Sequence, residues 1–156
     1  MKLSPHFTLA EMTVSQTAAR RGIDNTPDKT VIANLTDLCE NVLEPVRNYY
    51  KKPVIVTSGY RSKKLNSAIG GSKTSDHCFG YAADFTVQGV SNLEVCDWIH
   101  KNLNYKQLIA EFIPASGFGG WIHCSYDKNN MKNQELRAVK QRRYGIMRTV
   151  YLNGLR

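Results

Sequence analysis

The sequence predicts an α+β domain whose small, mostly antiparallel sheet is packed with helices. Three observations carry this. Helical periodicity fills the first third of the chain, short β-branched and aromatic runs follow it, and a single further helical period interrupts those runs.

Phe7 to Thr13 form a first short helix, with Thr8 placed to cap it and Glu11 to complete a capping box. Ser15 caps a second helix that runs to Arg21 and ends at Gly22. The turn Asn25-Thr26-Pro27-Asp28 starts the next. From Lys29 to Tyr50, Val31, Ile32, Leu35, Leu38, Val42, Leu43 and Val46 recur at helical spacing. They predict one long amphipathic helix laid over the sheet. Pro45 lies inside it and is expected to kink it or end its regular part early.

Pro53 to Thr57 read as a buried strand, followed by a turn, Ser58 to Ser62, of sequence SGYRS. Leu65 to Ile69 form a helical turn ended by Gly70 and Gly71, and Ser72 to Asp76 a polar loop. Tyr81 to Thr86 is a strand carrying Asp84. Ser91 to Leu103 is a helix capped by Ser91, with Glu94 placed for a second capping box. Gln107 to Phe112 and Trp121 to Tyr126 are strands joined through the flexible Ser116 to Gly120. Lys128 to Asn133 is a polar loop, and Arg143 to Leu152 adds a final strand.

With 156 residues the chain fits one domain, residues 1–156, that buries its own core. No apolar run approaches the ~20 residues that span a bilayer. The N-terminus, MKLSPH, has no apolar segment behind its lysine and is not a secretory signal. The chain is therefore expected to be made in a cytoplasm, with any outside substrate reached by a separate delivery route. The net charge of +8 is either a solubilising surface or the footprint of a polyanion: nucleic acid, membrane surface or anionic cell wall. The sequence shows no Arg-rich arm or stacked aromatic pattern of a nucleic-acid module, so no nucleic-acid partner is expected. Cys39, Cys78, Cys96 and Cys124 show no CxxC spacing, and no disulfide framework is expected at this size.

The chemistry gathers in Ser75-Asp76-His77-Cys78-Phe79-Gly80-Tyr81-Ala82-Ala83-Asp84 and in Gly120-Trp121-Ile122-His123. His77, Asp84 and His123 make a neutral-nitrogen, anionic-oxygen set that suits zinc, and three protein ligands leave a fourth position for water. Gly80 permits the bend that brings His77 back over Asp84. On a strand Trp121 and His123 share one face, with Ile122 and Cys124 on the other. Trp121 then walls the pocket that His123 enters, and Cys124 faces the core. The cysteines beside both histidines read as packing residues, with a sulfur-rich structural zinc site as the alternative. His6 and His100 read as ordinary polar residues.

The segments SGYRS (Ser58 to Ser62), LN (Leu65-Asn66), GGSKTSDHCFGYAADF (Gly70 to Phe85), QLIAEF (Gln107 to Phe112) and GWIHCSY (Gly120 to Tyr126) resemble the zinc D-alanyl-D-alanine carboxypeptidase family of metallopeptidases. Its members are carboxypeptidases and related peptidoglycan peptidases, and the N-terminal FTLAEMTVSQTAARRGIDNTP looks like those of phages and prophages. The resemblance implies a small antiparallel sheet packed with helices, the fold shared with the Hedgehog signalling domain. It implies zinc on His77, Asp84 and His123, and a substrate-binding Arg61 that steadies a carbonyl or carboxylate. Ser75 in the family's SxH pattern either contacts substrate or orients the loop, and Asp76 is expected in solvent. Many members carry a glutamate three positions before the last histidine, where this chain has Gly120. Glu111, at the end of an apolar strand, is the best substitute as general base, with Asp76 and Asp127 as alternatives.

Two readings follow. The first is an endolysin-like, monomeric zinc peptidase, a carboxypeptidase or endopeptidase that cuts peptidoglycan stem peptides beside a D-residue. The second, favoured by Gly120, is a zinc-stabilised module that binds wall peptides or another protein without cleaving them.

Overall fold

The computed structural model describes residues 1–156. Its principal layer is a six-stranded sheet in the order β3-β4-β6-β5-β7-β8. The strands are β3 (Val54–Ser58), β4 (Ala82–Val87), β5 (Gln107–Glu111), β6 (Trp121–Ser125), β7 (Gln134–Arg143) and β8 (Ile146–Asn153). Every neighbouring pair is antiparallel except β5 and β7, which run parallel. The expected α+β architecture and mostly antiparallel sheet are therefore observed. A small N-terminal hairpin, β1 (Lys2–Ser4) and β2 (Phe7–Thr8), lies outside that sheet. No helix is long and apolar enough to cross a membrane.

Strand alternation gives the sheet two different faces. Ala83, Phe85 and Val87 of β4, Leu108 and Ala110 of β5, and Ile122 and Cys124 of β6 point into one buried core. Helix α6 (Asn92–Asn102) joins them there through Val95, Cys96 and Ile99, and helix α3 (Lys29–Leu38) through Val31, Leu35 and Leu38. The residues between them on each strand, Asp84, Ile109, Glu111, Trp121 and His123, line a cleft on the opposite face.

The helix ends follow local chemistry. Thr8 and Glu11 form the reciprocal capping box of α1 (Leu9–Thr13). Ser15 caps α2 (Gln16–Arg21), which stops at a left-handed Gly22. Asp28 caps α3 through the Val31 amide. At α6, Ser91 accepts from the Glu94 amide, but no Glu94 side-chain bond completes the box.

The long helix differs from expectation at Pro45. The rod runs from Lys29 to Tyr50 without a break, but Cys39–Leu43 is wound as a π-turn before α4 (Glu44–Tyr50) begins. A proline has no N–H to give and crowds the preceding turn; one wider turn ahead of it absorbs that mismatch. The sequence also did not reveal β1, β2 or β7. The last strand is Ile146–Asn153, paired along its whole length with β7.

Candidate metal centre

His77 sits on a single 3-10 turn, Asp76–Phe79. Ser75 caps that turn, its hydroxyl accepting the His77 amide at 3.2 Å. Gly80 closes it in the left-handed conformation at φ 77°, and a Cβ there would lie 2.8 Å from the Val31 carbonyl of α3. The predicted bend at Gly80 is thus observed, and it is packed against the long helix. Asn34 ties the same turn down by donating to the Phe79 carbonyl at 2.9 Å.

The His77 ring is fixed from behind. Its Nδ1 lies 2.7 Å from the Gly59 carbonyl, an acceptor only, so Nδ1 carries the proton and Nε2 presents its lone pair forward. Nε2 is 3.3 Å from Asp84 Oδ1. Asp84 and His123 stand directly opposite each other on β4 and β6, and His123 Nδ1 lies 2.9 Å from the same Oδ1. One ligand atom from each of the three residues lies within 4.8 Å of the other two. The cysteines are outside this group, and all four are free. Cys124 faces the core, as the alternation requires.

The electrostatics are those of a cation site. Burial alone would raise the Asp84 carboxyl, yet the hydrogen bonds from His123 and His77 outweigh it and hold the group well below the usual carboxylate range. Burial pushes the His77 imidazole down despite Asp84. Burial also opposes a charge on His123, but its bond to Asp84 wins and raises it. Two imidazoles converge on one buried carboxylate, and a divalent ion satisfies all three without a proton. The donor set therefore fits zinc.

The other residues singled out in the sequence line the same cleft of about 960 Å³: Arg61, Ser75, Glu111 and Trp121. Arg61 is held by its amide, which donates to the His77 carbonyl at 3.1 Å. Its guanidinium makes no ion pair, and the buried Nε has no partner. Burial accordingly lowers its pKa. Glu111 lies opposite Trp121 and diagonal to His123, which faces Ile109. It is 8% exposed, and no side chain or amide donates to its carboxylate. Burial raises its pKa, with the nearby His123 opposing.

Gly120 has a steric explanation. Its φ is 63°, and a Cβ would fall 2.1 Å from the Glu111 carbonyl oxygen and 2.6 Å from that of Phe112. No side chain fits at position 120. Phe112 itself adopts φ 55°, a left-handed conformation costly for an aromatic residue, and packs at 5.5 Å on Trp121.

The sequence of one family, described as Peptidase M15, matches residues 5–125. The chain belongs to the Peptidase M15 family. This makes it a hydrolase of the metallopeptidase type, and the match spans every residue of the metal cluster. No curated protein matches the chain significantly.

Three features of the M15 site were not legible beforehand. Asp76 is not in solvent: it pairs with Lys106 at 2.7 Å and is 13% exposed, tying the His77 turn to the start of β5. Lys140 and Tyr151, on β7 and β8, line the far side of the cleft. Tyr151 follows Glu111 along one row of the sheet across the small Ala138. Burial, then the charges of Glu111 and Asp84, raise its phenol pKa. The parallel β5–β7 pairing creates that row, and no local sequence pattern announces it. His6 and His100 stay outside the cleft, paired with Glu44 and Glu135.

Proposed function

We propose that the protein is a zinc peptidase that hydrolyses peptidoglycan stem peptides beside a D-residue, in the manner of an endolysin. The observation that carries the reading is convergence: His77, Asp84 and His123 meet at one point, with an unpaired carboxylate and an unpaired guanidinium in the same cleft.

In this reading His77 Nε2, His123 Nδ1 and an Asp84 oxygen hold the ion. Bound zinc supplies Lewis acidity, which acidifies water and polarises a carbonyl. Glu111 is the base, taking a proton on its carboxylate and returning it to the leaving amine. Its support is position and environment: burial raises its proton affinity towards that needed for exchange near neutral pH. Arg61 receives the substrate carboxylate or the developing oxyanion through its free N–H groups. Trp121 walls the substrate channel, and Ser75 orients the His77 turn by capping it.

Gly120 favoured a binding module in the sequence. Backbone crowding accounts for the lack of a side chain at position 120, and Glu111, which lines the same cleft, is the carboxylate that the peptidase reading uses as base. The reading includes action on the cell wall as a monomer, after delivery from a cytoplasm. Its test is incubation of the purified protein with isolated peptidoglycan. Cleavage releases D-alanine or exposes new amines, stops with chelator and returns with zinc. Absence of both products from metal-loaded protein leaves the binding-module reading.

A further inference from the structure

We propose that the β7–β8 hairpin is a docking strip for the polymer whose peptide enters the cleft, with Arg142, Arg143 and Arg148 gripping free carboxylates along a wall strand. This rests on reading the cleft as a peptidoglycan peptidase site. The hairpin lies wholly beyond the family match, which ends at residue 125.

The charge distribution is the first argument. Residues 136–156 hold six of the 21 lysines and arginines and none of the 13 acidic residues, so six of the eight net charges sit there. Every residue from 140 to 149 is exposed. Arg142 reaches only the Gly145 carbonyl at 3.4 Å, while the Arg143 and Arg148 side chains bond nothing in the chain. Clustered like charges on a two-stranded ribbon repel one another, and no internal acid offsets that cost. An external anion does.

Continuity with the cleft is the second. Lys140 and Thr149 are paired across the hairpin, bonded at 2.8 Å, and both line the cleft. The next pair outward on the same face is Arg142 with Met147. Arg142 thus continues the cleft face outward, while Arg148, opposite Gln141, and Arg143, opposite Ile146, lie on the reverse face, so the charge passes from the cleft around the exposed end of the ribbon. Arginine suits this task, since its planar fork matches a carboxylate. The tip, with Tyr144 at 96% exposure beside Ile146 and Met147, adds apolar contact area. A membrane-binding arm would also combine cationic side chains with an apolar tip; what favours the polymer is that the charge starts at Lys140 inside the cleft.

The test combines Arg142→Glu, Arg143→Glu and Arg148→Glu in the full chain. Three readouts are taken: co-sedimentation with isolated peptidoglycan at low and high salt, cleavage of a short soluble stem peptide, and flotation with phosphatidylglycerol vesicles. The strip predicts that sediment binding falls about tenfold and that wild-type binding weakens with salt, while soluble-peptide cleavage stays within about twofold. Unchanged sedimentation overturns it, as does an equal loss on the soluble peptide. Vesicle binding without peptidoglycan binding replaces it with a membrane arm. If the triple glutamate variant does not fold, the triple glutamine variant decides by the same criteria. A wild type that sediments but cleaves no peptide refutes the peptidase reading and leaves the strip standing.

Discussion

The carbonyl oxygen of Glu111 lies 2.1 Å from the point that any Cβ on residue 120 would occupy. Residue 120 directly precedes Trp121, the β6 partner of Glu111, so the backbone of Glu111 and Phe112 leaves no room for a side chain there. Gly120→Ala combines this clash with a left-handed backbone. It is expected to cost at least about 2 kcal/mol, read from denaturant unfolding. A loss below about 0.5 kcal/mol would mean that the connection yields easily.

Glu111 is the buried carboxylate of the cleft that no donor pairs, and so the one to remove. Glu111→Gln keeps the shape and loses the basicity. Hydrolysis of a stem peptide should fall by roughly 10²- to 10⁴-fold, with zinc content unchanged. Wild-type turnover in this variant would transfer the role to another group.

Arg61 offers unpaired N–H groups to the cleft. Arg61→Ala should lower kcat/KM by about 10²-fold, and Arg61→Lys should recover only part of it, since an ammonium cannot fork onto a carboxylate. Equal activity of the lysine variant and wild type would show that charge alone suffices there.

Much of this site is legible in the sequence because its geometry is local. Ser75 caps the turn of the histidine two residues on, and period-two alternation puts Trp121 and His123 on one face. The capped helices are readable for the same reason. What escapes is non-local. Gln134–Arg143 reads QELRAVKQRR, with no apolar alternation to mark a strand; its pairing with β5 makes it one. That pairing brings Lys140 and Tyr151 to the cleft. Asp76 meets Lys106 only after the sheet assembles, so solvent is its natural reading from sequence.

Glu44 supplies a pH dependence separate from the metal centre. Burial would raise its carboxyl, but bonds from the His6 ring and amide and from the Ser4 hydroxyl at 2.8 Å lower it overall. A depressed folded-state pKa stabilises the fold above the ordinary glutamate value. That contribution disappears as pH falls through the folded value. Glu44→Gln should therefore cost about 1–3 kcal/mol near neutral pH, with a deficit that shrinks in acid. A deficit that grows as pH falls would contradict this, as followed by thermal unfolding between neutral and acid pH.

The central claim is a single ion held by two imidazoles and one carboxylate, and metal content measures it directly. Zinc per chain, determined by mass spectrometry after dialysis, should be about one for wild type and near zero for Asp84→Ala. Equal zinc in the two proteins, or none in wild type supplied with excess metal, would contradict the account.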